Sequence, residues 1–105
     1  MELKDYNNVI EWGRNKGILD KSTPLDQSGK FFEEALELID EVKLLHCEPL
    51  PESTEAARME FGDVLVTLIL LSKLSGWDMS ECLTMAYEKI NKRKGKMVNG
   101  VFVKE

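Results

Sequence analysis

Five acids define the chemistry open to this chain: Glu33, Glu34 and Glu37 in one short segment, Glu60 and Asp63 in another. If the first segment is helical, a turn of 100° per residue puts Lys30, Glu34, Glu37 and Glu41 in one narrow sector. Phe31, Ala35, Leu38 and Val42 fall on the adjoining apolar arc. Taken alone, an acidic stripe of this kind reads as the solvated face of an amphipathic helix. The second segment changes that reading. From Met59 to Leu74 the chain runs MEFGDVLVTLILLSKL, apolar on nearly every side, which predicts a helix buried between neighbours with Glu60 and Asp63 on one face at i and i+3. Unpaired carboxylates are costly to bury, so these two need a basic side chain or a divalent cation beside them. Two such pairs on adjacent helices can present four carboxylates to one site, and hard oxygen ligands suit Mg²⁺ or Mn²⁺ better than zinc or iron. The competing reading is that Glu60 and Asp63 form buried salt bridges or cap a local turn.

Other reactive residue types offer less. Cys47 and Cys82 are too few and too far apart for a disulfide framework or a zinc site, and read as reduced core residues. His46, the only histidine, lacks the nitrogen or sulfur partners zinc would require. Lys89, Lys92, Arg93, Lys94 and Lys96 crowd the C-terminal region. On a helix reaching Arg93, Lys89 and Arg93 share a face with Cys82 and Ala86, where they can meet phosphate or balance the C-terminal helix dipole. Tyr6, Trp12, Phe31 and Phe32 could stack on a base, but large aromatics at helical spacing are more often interior.

The elements that must carry these residues are punctuated clearly. Thr23, Pro24 and Asp26 supply an N-cap, a first-turn proline and a first-turn acid, predicting a helix over about 24–46. Pro49 and Pro51 interrupt it. Ser53 or Thr54 starts a second helix over about 53–75, ended by Gly76, and Asp78 with Glu81 launches a third over about 78–93. Before these, Leu3, Tyr6, Val9 and Ile10 recur at helical spacing, with Gly13 and Gly17 as fraying or terminating positions, making four helices in all. At the end, Asn99-Gly100 between apolar residues is the signature of a tight hairpin.

With 43% apolar and 31% charged residues in 105, the chain has the composition of a single globular domain, 1–105. So short a helical chain can complete its core by pairing with another copy. A net charge of −5 argues against coating a nucleic acid polymer. The N-terminal residues lack a signal pattern and the apolar run 64–71 is too short to span a bilayer, so the expected location is cytoplasmic, away from the membrane.

The segments Glu33-Glu34-Ala35-Leu36-Glu37 and Glu60-Phe61-Gly62-Asp63 resemble the EExxE…ExxD signature of the MazG-like, all-α nucleoside triphosphate pyrophosphohydrolases. Gln27-Ser28-Gly29-Lys30 before the first motif, Gly62-Asp63-Val64-Leu65 opening the apolar helix and Ile90-Asn91-Lys92-Arg93 closing the last extend the resemblance over most of the chain. It implies an all-α, four-helix bundle-like fold completed by dimerisation, as a homodimer or homotetramer. It also implies Mg²⁺, with Mn²⁺ as a substitute, held by Glu34, Glu37, Glu60 and Asp63 as the metal and catalytic residues, with Glu33 supporting them. Water would then attack the α-phosphorus of a nucleoside or deoxynucleoside triphosphate, releasing pyrophosphate, with Glu34 or Glu37 as base. Lys30, Lys89, Asn91 and Arg93 would contact the substrate, in a role suited to nucleotide-pool housekeeping. Two departures stand out: Asn91 falls on the face opposite Lys89 and Arg93, and a lysine some members carry one turn before it is Tyr87 here. The alternatives are a phosphoribosyl-ATP pyrophosphohydrolase and a non-catalytic helical interaction protein.

Overall fold

The computed structural model describes residues 3–105, and among them the fold is helical with one small hairpin. In chain order the helices are α1 (Tyr6–Asn15), α2 (Ile18–Lys21), α3 (Pro24–Cys47), α4 (Pro51–Ser75) and α5 (Met79–Ile90), followed by strands β1 (Gly95–Val98) and β2 (Val101–Lys104). The all-α reading with a C-terminal hairpin holds, with one helix more than the four expected. The addition is α2, a single turn too short to show periodicity.

Several boundaries follow from local chemistry. Thr23 Oγ1 accepts from the Asp26 amide at 3.1 Å and Asp26 Oδ2 accepts from the Thr23 amide at 3.1 Å, so the start of α3 is closed reciprocally ahead of Pro24. The Asp78 side chain accepts from the Glu81 amide at 3.0 Å and starts α5. Gly76 ends α4 at φ 73°, where a Cβ would be strained. Helix α4 starts earlier than expected, at Pro51: proline lacks the amide that the first turn leaves unpaired anyway, so it opens the helix that Ser53 or Thr54 was expected to cap. Gly13 does not end α1 but is buried within it; a Cβ there would lie 2.6 Å from Leu70 Cδ2, so glycine permits α1 to approach α4 closely.

The long helices α3 and α4, joined by residues 48–50, make the most extensive packing in the molecule. Helix α1 lies against α4, and Ile10, Ala57, Ile69 and Leu70 form the buried apolar core. Thr67 and Ser72 are buried there at little cost, because each hydroxyl donates to a carbonyl of its own helix at 2.7 Å. The hairpin is antiparallel, with Val98 opposite Val101 and positive φ at Asn99 and Gly100, as a type I′ turn requires.

Much apolar surface stays uncovered. Every residue from Glu81 to Glu105 is exposed, as are Leu36, Ile39 and Val42 on α3. Cys47 and Cys82, expected in the core, are free and exposed, and Trp12 and Phe32 are exposed where interior positions were expected, although Tyr6 and Phe31 are half-buried. The common reason is that α5, the hairpin and one side of α3 have little of this chain packed over them. No helix among the described residues is long and apolar enough to cross a membrane.

Candidate metal and phosphate site

The α3–α4 contact brings together acids that lie far apart in sequence. Glu34 and Glu37, a turn apart on α3, face Glu60 on α4, and one carboxylate oxygen from each lies within 4.8 Å of the others. Glu34 and Glu60 are half-buried and Glu37 is exposed, so the cluster sits at the edge of the helix pair and stays open to solvent. Glu34 Oε2 and Glu60 Oε2 are buried and have no hydrogen-bond partner. Buried carboxylate oxygens are rarely left so, since each forgoes the hydration it had in water.

The electrostatics show the strain of this arrangement. Glu37 is held above the usual carboxylate range, first by its hydrogen-bonding contact with Glu34 and the charge of Glu34, then by desolvation and Glu60. Glu60 is also pushed up, first by desolvation and then by the charges of Asp63 and Glu34, with its contact to Glu37 working in the opposite sense. Among the described residues the cation that meets this cluster is Lys30. Its Nζ lies 3.3 Å from Glu34 Oε1 and 3.8 Å from Glu33 Oε2, and its pKa is raised, first by the hydrogen bond to Glu34. One exposed lysine does not balance three converging carboxylates. A divalent oxygen-seeking cation fits the donor set, the shared spacing and the two orphaned oxygens.

The remaining sequence-derived residues are placed less centrally. Asp63 is exposed, although the helix pattern predicted burial, because α4 has α3 and α1 against it but leaves its Asp63 side open. Asp63 lies outside the cluster of three, yet it is near enough for its charge to push Glu60 up. Glu33 is exposed and reaches the cluster only through Lys30. Lys89 is on α5, Asn91 caps its end and Arg93 follows, all exposed. Glu41 was read as part of the acidic stripe but given no role; it is half-buried one turn beyond Glu37, and its charge also raises Glu60. Its i+4 spacing from Glu37 was the available signal.

A separate cavity of about 610 Å³ lies between the starts of α1 and α5, lined by Leu3, Tyr6, Asn7, Met79 and Asp78 among others. Asp78 is already engaged in capping α5, and the cavity lacks the converging acids. No curated protein and no solved structure gives a match to the chain. A family model does match, that of the MazG nucleotide pyrophosphohydrolase domain, over residues 25–98. The matched span runs from the first turn of α3 to the end of β1 and includes all three clustered glutamates, so the chain belongs to the MazG nucleotide pyrophosphohydrolase family.

Proposed function

We propose that this chain hydrolyses a nucleoside or deoxynucleoside triphosphate to the monophosphate and pyrophosphate, with Mg²⁺, or Mn²⁺ in its place, held by Glu34, Glu37, Glu60 and Asp63. The observation that carries this reading is the convergence of Glu34, Glu37 and Glu60 from two helices with two buried carboxylate oxygens left unpartnered. Asp63, exposed one helical turn beyond Glu60 and outside that cluster, would complete the ligand set from the open side of α4. A divalent cation there supplies charge neutralisation for the phosphates and acidifies water. Water attacks the α-phosphorus in line, the bond to the α–β bridging oxygen breaks, and pyrophosphate departs with that oxygen. The proton released by the water passes to Glu34 or Glu37, whichever carboxylate oxygen is not committed to the cation. Glu33 steadies Lys30, and Lys30, Lys89, Asn91 and Arg93 bind the phosphates.

The basic residues after Glu81 meet little of their own chain, and a second copy answers that need. A protein of 12.0 kDa is expected to expose roughly 6,000 Å². This chain exposes 8317 Å². The surplus, about 2,300 Å² per chain and so about 4,600 Å² for a pair, falls in the range of total area that obligate homodimers bury. The radius of gyration, 16.3 Å, likewise exceeds the roughly 13 Å of a compact chain this long. Docked on another copy as a homodimer or homotetramer, α5 would cover apolar residues such as Leu36 and Ile39 and carry Lys89, with Arg93 just beyond its end, toward the acidic stripe.

The test is release of pyrophosphate from a panel of ribo- and deoxyribonucleoside triphosphates with Mg²⁺. Release from at least one is expected. Release only from phosphoribosyl-ATP, included in the panel, would move the assignment to that substrate, and release from none would leave a non-catalytic interaction protein.

A further inference from the structure

Lys30 occupies a position its neighbours do not explain as packing. It lies one turn before Glu34 on α3, its side chain is 55% exposed, and its ammonium contacts Glu34 Oε1 at 3.3 Å while Glu34 itself is only 13% exposed. The other oxygen of the same carboxylate, Oε2, is buried without a partner. Glu34 thus has one oxygen on an exposed cation and one buried without a partner, and its carboxylate shares the cluster with Glu37 and Glu60. Arg14 and Arg58, the other bases in ion pairs among the described residues, are engaged with Glu11 and Glu55 and do not serve the cluster.

An exposed lysine paired at i,i+4 is weakly held and exchanges partners readily. Two consequences follow from charge alone. With no nucleotide present, the ammonium partly neutralises Glu34 and repels a second cation approaching the cluster. With a triphosphate present, the same ammonium gains a partner of much higher charge within reach of a flexible four-carbon stem, and Glu34 is released entirely to the cation. Resting on the pyrophosphohydrolase reading above, we propose that Lys30 couples the two ligands: it weakens binding of the divalent cation alone and strengthens binding of the triphosphate, so that the site fills with both together. By linkage, what it takes from one ligand alone it returns when the second arrives.

The experiment is calorimetry on the full chain, wild type against Lys30→Gln and Lys30→Arg, with Mn²⁺ alone and then with inorganic triphosphate titrated into protein held in saturating Mn²⁺. Lys30→Gln is expected to bind Mn²⁺ alone about three- to tenfold more tightly, the size fitting one partly exposed charge a few ångströms away, and triphosphate about tenfold more weakly. Lys30→Arg, which keeps the charge, should stay near wild type in both. Opposite shifts cannot come from a damaged fold, which lowers both affinities. The inference is overturned if Lys30→Gln moves both affinities in the same direction, or neither, while wild type binds Mn²⁺; the metal reading then survives. Wild-type protein that takes up no Mn²⁺ overturns both, and Mn²⁺-loaded wild type that ignores triphosphate overturns the coupling alone.

Discussion

Three glutamate carboxylates share one small volume, and two of them, Glu37 and Glu60, are less acidic in the fold than in an unfolded chain. The folded protein therefore binds more protons than the unfolded one over the range from the ordinary glutamate value upward. In that range stability falls as pH rises. Metal-free Glu60→Gln protein should accordingly melt above wild type at pH 8, with the gap narrowing as the pH is lowered and wild-type Glu60 takes up its proton. Saturating Mg²⁺ should reverse the order. Thermal melts at several pH values, with chelator and with Mg²⁺, check this, and a gap that widens on acidification would refute it. The sequence placed Glu34, Glu37 and Lys30 on one helical stripe through their i, i+3 and i+4 spacing, and in the fold Lys30 meets Glu34 while Glu34 and Glu37 cluster with Glu60. It did not show that Asp63 is exposed, because an apolar helix does not reveal which of its sides the rest of the chain leaves open.

Glu60 meets Glu34 and Glu37 because α3 packs against α4, and few side chains in that packing are fully buried. Leu70, 2% exposed, is packed against Gly13 of α1, whose missing side chain gives it room. Leu70→Ala should lower unfolding stability by about 2–5 kcal/mol, the cost of lost transfer energy plus a cavity. Urea denaturation measures it; a loss below about 1 kcal/mol would mean that α1 does not brace the pair. Element ends were largely legible wherever a side chain closes a backbone, as at Thr23 with Asp26, at Gly76 and at Asn99-Gly100. Pro51 misled because proline both breaks a helix and opens one. Gly13 misled because a helical glycine can serve packing rather than termination.

The molecule as a whole has more apolar surface than it covers. Ile39, Val42 and Leu38 line a groove of about 480 Å³ on α3, and α5 with the hairpin is exposed throughout from Glu81. A two-stranded hairpin alone is marginal in water, so its order points to further support. Ile39→Asp should convert a wild-type dimer or tetramer to monomer and abolish activity, although it alters none of the clustered acids. Analytical ultracentrifugation reads the first effect; a wild-type monomer at micromolar concentration would refute the assembly. Composition allowed for a core finished by a second copy, but did not show that α5 and the hairpin would be left uncovered by this chain. Periodicity records that a helix has an apolar face without naming what covers it.

The proposed function stands on one property, the dependence of pyrophosphate release on a divalent cation held by the clustered glutamates of α3 and α4. Its most direct test is to strip the protein of metal and follow release from an accepted triphosphate as Mg²⁺ is returned, for wild type and for folded Glu60→Gln. The expected result is no release in chelator, saturable recovery with Mg²⁺ in wild type, and a loss of at least about a hundredfold in Glu60→Gln. Release that persists in chelator, or survives undiminished in Glu60→Gln, would contradict the account.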